Sequence, residues 1–139
     1  MTQLPILYSF RRCPYAMRAR MALSVSMQAH ELREVLLRDK PPELIEVSPK
    51  ATVPILEVPH LGVIDQSLDI MLWALNKNDP FSWLLPERGN LEQMLALIEK
   101  NDGNFKYNLD RYKYPNRYDD LDAKYFRGEA EKFIAELDK

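Results

Sequence analysis

The chain has few of the residues on which several protein classes depend. Its 139 residues include one cysteine, two histidines and four glycines. A single cysteine excludes a disulfide within the chain and is typical of a reducing compartment, so we expect a cytoplasmic location. His30 and His60 lie far apart in the sequence, and this spacing predicts no metal site.

Long apolar runs and a strong excess of one charge are also missing. No apolar run approaches the roughly 20 residues that a membrane-spanning helix needs, and the first residues do not follow the pattern of a secretory signal. The formal net charge is −2 at pH 7, which argues against a surface for nucleic acid. We therefore expect neither a membrane nor a nucleic acid as a partner.

The residues that are present follow a regular order of short apolar and amphipathic segments. Four segments are typical of strands and three of helices. The predicted strands lie at 4–8, 30–37, 52–59 and 61–64, and the predicted helices at 14–26, 40–49 and 65–77. The order strand, helix, strand, short helix, strand, strand, helix predicts an α/β layer fold.

The first predicted helix is apolar around most of its circumference. Its apolar side chains recur at spacings of four residues. The two series are Met17, Met21, Val25 and Ala19, Leu23. We therefore expect this helix to be largely buried.

The composition changes from mixed α/β to all-α near residue 85. Residues 1–78 hold the predicted strands, residues 79–90 form a proline-broken linker, and residues 91–139 show helical spacing. We therefore predict a first domain at 1–78, a linker at 79–90 and a helical second domain at 91–139.

Cys13 is the residue best placed for chemistry. It follows a predicted strand and immediately precedes Pro14, which suits the first turn of a helix. The sulfur therefore lies where unpaired backbone N–H groups and the positive end of the helix dipole favour the thiolate, the nucleophilic form. The nearby arginines are interpreted as a solvated patch that steers an anionic ligand. They are Arg11, Arg12, Arg18 and Arg20.

Four motifs resemble one known family when they are taken together. "CPYA" (13–16) after a short strand resembles the active-site motif of cysteine-type glutathione transferases, and "SPKATVPIL" (48–56) resembles their segment that ends in a Val-Pro pair. "VIDQSLDIMLWAL" (63–75) resembles their strand, polar pair and helix, and "NDGNFKYNLDRYKYPNRY" (101–118) resembles the start of their helical second domain in bacterial relatives. The resemblance implies a thioredoxin-like first domain, with a mixed four-stranded sheet and three helices, followed by a partial all-α domain.

The resemblance also implies a role for each matching residue. Cys13 would contact or capture the sulfur of glutathione, and Val53 would pair its backbone with the cysteinyl unit of the peptide. Pro54 would follow a cis peptide bond and turn that backbone toward the ligand. Ser67, at a helix N-terminus, would bind the γ-glutamyl carboxylate beside Gln66. Glutathione would be a co-substrate, and no metal is implied.

Two positions depart from the family pattern. Gln66 stands where the family usually has glutamate, so a negative charge for the amino group of the ligand is missing. Thr52 stands where some relatives carry a lysine for the glycyl carboxylate, and the nearest lysine is Lys50. The first departure weakens the expected affinity for glutathione without removing the site, and the second leaves the glycyl carboxylate without an assigned basic partner.

The helical second domain is shorter than the resemblance implies, since only about fifty residues follow the linker. Its apolar side chains are therefore expected to lack part of their usual cover, and exposed apolar surface favours self-association. We expect a homo-oligomer. The side chains concerned are Leu91, Leu95, Ile98, Phe126, Phe133 and Ile134.

The predicted function is glutathione-dependent thiol transfer or reduction through a mixed disulfide of Cys13, with an unknown disulfide or electrophile as second substrate. An alternative is conjugation of glutathione to electrophiles, which usually needs a hydroxyl donor; Tyr8 and Ser9 lie just before the cysteine. An alternative of another class is a protein-interaction module that has the transferase fold without its chemistry.

Overall fold

The structure is a computed structural model that describes residues 3–118 and 122–139. The chain divides into two compact units, Met1–Leu84 and Leu85–Lys139. Each unit has its own helices, and the strands lie in the first.

The first unit contains one mixed sheet and three helices. Its strands are β1 (Ile6–Ser9), β2 (Glu31–Glu34), β3 (Ile55–Val58) and β4 (Gly62–Ile64), and its helices are α1 (Pro14–Val25), α2 (Pro42–Val47) and α3 (Ser67–Lys77). The strand order across the sheet is β2-β1-β3-β4. β1 pairs parallel with β2 and antiparallel with β3, and β3 pairs antiparallel with β4. The predicted mixed four-stranded sheet with three helices is confirmed.

The two faces of the sheet carry separate hydrophobic clusters because successive side chains of a strand point to opposite faces. Leu7 of β1 and Leu56 of β3 belong to the cluster that includes Leu23 of α1 and Ile70 of α3. The neighbouring residues of the same strands, Tyr8 and Ile55, belong to the cluster around Leu44 of α2. The sheet therefore lies between α1 and α3 on one side and α2 on the other.

Helix α1 is buried along one face only, so the prediction of a largely buried helix is wrong. The buried side chains are Ala16, Ala19, Ala22 and Leu23. Met17 and Met21 are 41% and 60% exposed. Small alanine side chains allow a close approach to the rest of the unit, and the longer methionines are displaced to the outer face.

The regular elements of the second unit are all helical among its described residues, as predicted. It contains α4 (Leu91–Lys100), a π-helical turn (Asn101–Phe105), α5 (Lys106–Lys113), a 3₁₀ turn (Pro115–Arg117) and α6 (Ala123–Leu137). Helix α4 begins with a capping box in which the side chains of Asn90 and Gln93 each accept from the other's backbone N–H. Within the described part of the chain, no helix is long and apolar enough to cross a membrane.

The core of the second unit is small. The rings of Phe105 and Phe133 pack at 5.1 Å between centroids, and Phe133 is buried. Ile134 and Leu137 of α6 are 55% and 57% exposed. Part of the apolar surface of this unit therefore faces solvent.

The burial of Leu56 in the cluster beneath α1 and α3 leads to a prediction about stability. Leu56→Ala removes a side chain that is 0% exposed and should lower the free energy of unfolding by about 2–5 kcal/mol. The matched control is Leu61→Ala, at a side chain that is 63% exposed, with an expected change below about 0.5 kcal/mol. Urea unfolding followed by circular dichroism measures both. Equal effects of the two substitutions would contradict this description of the core.

Candidate functional site

Cys13 is the N-cap residue of α1, and Pro14 opens the helix. The Cys13 N–H donates to the carbonyl of Phe10 at 3.0 Å, and its own carbonyl accepts from the N–H of Met17 at 2.9 Å. The first turn of a helix leaves backbone N–H groups without partners inside the helix. The half-buried Cys13 side chain therefore lies at the positive end of α1.

The antiparallel pairing of β1 with β3 brings Cys13 close to Val53. Tyr8, near the end of β1, pairs with Ile55, the first residue of β3. The loop that follows β1 therefore meets the segment that precedes β3. The Cys13 thiol lies 4.0 Å from the carbonyl oxygen of Val53. The Val53–Pro54 peptide bond is cis, as the resemblance implies.

The predicted strand at 52–59 is shorter in the structure and begins at Ile55. Proline has no backbone N–H and cannot donate to the sheet. Pro54 accordingly lies just outside the strand, and Val53 precedes it as a half-buried residue. The backbone of Val53 thus lies at the end of the sheet where β3 begins, close to the Cys13 sulfur.

Gln66 and Ser67 lie at the start of α3. Ile64, the last residue of β4, pairs with Leu56 of β3, so the chain enters α3 from the same end of the sheet. Gln66 is the exposed N-cap residue, and its side chain makes no capping hydrogen bond. Ser67 is the first helical residue and is only 6% exposed. The two residues are thus neighbours with very different access to solvent.

A side chain of α1 contacts Ser67, the first residue of α3. The Arg18 Nε donates to Ser67 Oγ at 2.9 Å. The guanidinium of Arg18 also lies 5.0 Å from the centroid of the Tyr15 ring. This contact joins the helix that begins at Cys13 to the helix that begins at Ser67.

The loop between β1 and α1 is held from two sides. Arg20 donates to the buried hydroxyl of Ser9 at 2.5 Å, to the Phe10 carbonyl at 3.3 Å and to the Arg11 carbonyl at 2.9 Å. From β2, a carboxylate oxygen of Glu34 accepts from the N–H of Arg11 at 2.7 Å. The Arg20 guanidinium binds the carbonyl groups of this loop, and the Glu34 carboxylate binds one of its amides. Together they fix the backbone that leads into Cys13.

The hydroxyl groups just before the cysteine are both buried. Tyr8 is 1% exposed and Ser9 is 0% exposed. The Tyr8 hydroxyl accepts from Arg33 at 3.4 Å, and the Ser9 hydroxyl accepts from Arg20. Neither group is presented to solvent.

Sequence reasoning missed the contacts of two arginines. Arg18 and Arg20 were interpreted with their neighbours as a solvated basic patch, but both are half-buried and form specific hydrogen bonds. The position of Arg20 seven residues after Cys13 offers a weak signal, since two helical turns return a side chain to the same face. No comparable local signal connects Arg18 to Ser67, because 49 residues separate them.

A separate groove of about 800 Å³ lies at the other end of the sheet. Its walls include Glu31, Arg33, Glu57 and His60, and none of the five predicted site residues lines it. Among the residues that the structure describes, no group of three or more histidine, cysteine, aspartate or glutamate side chains is arranged to hold a metal ion.

Comparison with known families matches residues 7–82 to the model "Glutathione S-transferase, N-terminal domain". This segment is more than half of the chain and contains Cys13, Val53, Pro54, Gln66 and Ser67. No curated protein gives a significant sequence match.

Solved structures of similar fold include several glutathione transferases. An Omega 2C glutathione transferase from Trametes versicolor superposes with a TM-score of 0.76 at 18% identity over 98% of this chain and 60% of its own. A Tau class enzyme from mango, Mangifera indica, superposes with a TM-score of 0.77 at 21% identity over 96% of this chain and 60% of its own. A trimeric glutathione transferase of Leishmania superposes with a TM-score of 0.69 at 25% identity over 96% of this chain and 30% of its own. The chain thus spans less than two thirds of each relative, and the likeness confirms a thioredoxin-like first domain followed by a helical part.

The hydrogen bonds of Arg20 predict that this side chain holds the loop that carries Cys13. Arg20→Met should lower the free energy of unfolding by about 2–3 kcal/mol, because a buried hydroxyl and two loop carbonyls lose a charged donor. Amide hydrogen exchange over residues 9–13 should become faster. Mass spectrometry of peptides from the exchanged protein measures this change.

The matched control for this prediction is Arg12→Met, the same substitution in the same segment. Arg12 is exposed, and its guanidinium lies 5.9 Å from the centroid of the Phe10 ring. Its removal should change stability by less than about 0.5 kcal/mol and leave the exchange of residues 9–13 unaltered. Faster exchange in both variants would show that Arg20 has no special part in holding the loop.

Proposed function

The chain belongs to the glutathione S-transferase family, and from this membership we propose that it is a glutathione-dependent thiol transferase or reductase that acts through Cys13. One observation carries the proposal: the only sulfur of a cysteine in the chain lies at the N-terminus of α1, 4.0 Å from the Val53 carbonyl. We assign the glutathione site to residues 1–78, with 79–90 as a linker to the helical residues 91–139.

The spacing of the proposed binding groups suits one short peptide. Cys13 and Arg18 are separated by an axial rise of about 7.5 Å along α1, and the γ-glutamyl-cysteinyl part of glutathione, which is two residues long, spans roughly 7 Å when extended. Arg18 in turn contacts Ser67. A ligand with its sulfur at Cys13 is therefore long enough to present its γ-glutamyl carboxylate at Ser67.

Each residue of the proposed site has a distinct part in binding. The backbone N–H and carbonyl of Val53, just before Pro54 and the start of β3, would pair with the cysteinyl unit of glutathione as an added strand does. The hydroxyl and N–H of Ser67 would bind the γ-glutamyl carboxylate at the start of α3. Gln66 would accept from the amino group of the ligand.

The proposed reaction is thiol–disulfide exchange in two steps. The Cys13 thiolate attacks the glutathionyl sulfur of a mixed disulfide, the sulfur–sulfur bond of the substrate breaks, and the other thiol leaves as a thiolate that takes a proton from water. The thiolate of a second glutathione then attacks the glutathionyl sulfur on Cys13. This step releases glutathione disulfide and restores the Cys13 thiolate, so the chain needs no second cysteine.

The burial of Tyr8 and Ser9 supports thiol transfer over conjugation. Conjugation needs a donor that stabilises the thiolate of glutathione itself, and the hydroxyls of these two residues are inside the unit and bonded to arginines. A non-catalytic interaction module is the alternative from another class. The neutral Gln66 and Thr52 favour that alternative, whereas the placement of Cys13 beside Val53 favours chemistry. A homo-oligomer in the cytoplasm remains a prediction.

The proposal predicts rapid formation of a mixed disulfide at Cys13. With glutathione disulfide, the native protein should gain the mass of one glutathionyl group at a rate that saturates with ligand concentration. Cys13→Ser should gain none. Intact-protein mass spectrometry at timed intervals measures the rate.

The necessary control is the same chain in denaturant, since any exposed thiol reacts slowly with glutathione disulfide. The native rate should exceed the denatured rate by at least about tenfold, as for a cysteine held at a helix N-terminus. Equal rates, together with no binding of reduced glutathione, would favour the interaction module. Conjugation of an activated aryl chloride that survives in Cys13→Ser would favour the conjugating alternative.

The neutral side chain at position 66 makes a second prediction. Gln66→Glu should tighten the binding of reduced glutathione about threefold at low salt, because an exposed carboxylate gains a weak ion pair with the ligand's amino group. Isothermal titration calorimetry measures the affinity. Glutaryl-cysteinylglycine, which lacks that amino group, is the matched ligand and should gain nothing. The same gain for both ligands would show that Gln66 does not face the amino group.

A further inference from the structure

We propose that the groove at the other end of the sheet from Cys13 is a second ligand site, and that it takes a small amphipathic cation, an amine carried on an apolar body. The five residues of the proposed glutathione site lie outside this groove, so the second site is independent of the proposed function. All the residues that line it belong to the first unit.

The groove lies on the face of the sheet that α2 covers only in part. On this face, Tyr8 and Ile55 belong to the same cluster as Leu44 of α2, at the end of the strands nearest Cys13. Because α2 has only six residues, it is about 9 Å long and leaves the other end of the face open. The groove there has a volume of about 800 Å³, which is in the range of sites for small molecules.

A row of four side chains crosses the sheet inside the groove. Ile6 of β1 pairs with Glu31 of β2 and with Glu57 of β3, and Glu57 pairs in turn with Val63 of β4. Side chains of directly paired residues lie on the same face of a sheet, and all four of these residues line the groove. Since neighbouring strands are about 4.8 Å apart, the Glu57 side chain lies directly between the aliphatic side chains of Ile6 and Val63.

The charge of Glu57 is not balanced within the groove. Arg33 donates to the Glu31 carboxylate at 3.1 Å and to the Tyr8 hydroxyl at 3.4 Å, so the charges of Glu31 and Arg33 offset each other. Glu57 is half-buried and forms no hydrogen bond or ion pair with the residues that the structure describes. The remaining titratable side chain that lines the groove, His60, is exposed. The groove therefore offers one carboxylate that lacks a partner.

The chemistry of the lining favours a cation with an apolar body. A half-buried carboxylate without a donor has lost hydration that nothing replaces, and an ammonium group supplies both N–H donors and the opposite charge. An anion would be repelled by Glu57, and a neutral ligand would leave its charge unpaired. The other walls are largely aliphatic and favour an alkyl or aryl group. They are formed by Leu4, Ile6, Val58, Leu61 and Val63.

Three probes of nearly equal size test the inference. Phenylbutylamine, phenylbutanol and phenylpentanoate carry a terminal ammonium, hydroxyl or carboxylate group on the same phenyl-alkyl body. Each probe is titrated into the isotopically labelled full chain at neutral pH and low salt, and two-dimensional NMR of the backbone amides follows binding. The amides that shift locate the site, and the dependence of the shifts on probe concentration gives the dissociation constant.

The expected result is a preference for the amine that depends on Glu57. The amine should bind about fivefold more tightly than the alcohol, because it gains one partly exposed ion pair, and phenylpentanoate should bind more weakly than either. The amides that shift should be those of the groove, among them Ile6, Glu57 and Val63, and the amides of Cys13 and Ser67 should not shift.

Substitutions separate the charged contact from the apolar one. Glu57→Gln should weaken the amine about fivefold and change the alcohol less than about twofold. Leu61→Ala removes part of an apolar wall and should weaken both probes alike, by about threefold. The matched control is Glu46→Gln, the same change at an exposed residue of α2 outside the groove, which should alter neither affinity.

Arg33→Gln provides an independent variant with the opposite sign. Without the guanidinium, the Glu31 carboxylate loses its partner, and the groove gains a second negative charge that is not balanced. The amine should therefore bind about twofold more tightly to Arg33→Gln than to the unchanged protein, and the alcohol should bind equally to both.

Several outcomes would overturn the inference. They are equal affinities for the amine and the alcohol, an unchanged amine affinity in Glu57→Gln, and an equal loss in Glu46→Gln. Shifts confined to amides outside the groove, or no binding up to the solubility limit of the amine, would overturn it as well. If thermal unfolding shows that Glu57→Gln is not folded, Arg33→Gln decides, and an amine affinity that does not rise would remove the site. None of these measurements uses glutathione, so their failure leaves the proposed function untouched.

Discussion

The close packing of α1 against α3 is the contact on which the rest of the candidate site depends. Ala19 of α1 and Ala74 of α3 are both fully buried in the same cluster as Leu7 and Leu56. Small side chains at such a junction let two helices approach closely, and little slack remains because protein interiors are densely packed. An arginine on one helix can then reach the first residue of the other.

The pairing of the strands places three separate segments at one end of the sheet. β1 ends where β3 begins, because the two strands are antiparallel, and β4 ends near the same point, because it is antiparallel to β3. The loop to Cys13, the segment of Val53 and the entry to Ser67 therefore all emerge at the same end of the sheet. Strand direction alone is enough to assemble a sulfur, an extended backbone segment and a helix N-terminus.

Local signals in the sequence explain why the starts of α1 and α3 were predicted well. Pro14 marks the first turn of α1, and polar residues precede the apolar face of α3. The burial of α1 was predicted wrongly because periodicity does not tell a core methionine from an exposed one. Met17 and Met21 fit the spacing of a core face, but the alanines beside them form the actual contact.

The arginine contacts could not be predicted from spacing, because they depend on which helix lies beside which. Arg18 reaches Ser67 only after strands β3 and β4 have returned the chain to α1. The cis bond before Pro54 is likewise rare among proline residues in general, and the sequence indicated it only through the resemblance to a family. Local sequence patterns therefore predict neither these arginine contacts nor the cis bond before Pro54.

The two ends of the proposed site differ in the hydrogen-bond donors and charge that they offer to a ligand. Ser67 and the first backbone N–H groups of α3 place hydrogen-bond donors at one end. At the other end Thr52 is exposed and neutral, so it adds no charge for a second carboxylate. Electrostatic attraction acts most strongly where water is partly excluded, and Ser67 is the buried member of this set. A peptide ligand would therefore be oriented by its γ-glutamyl end, and the backbone of Val53 would then bring its sulfur to Cys13.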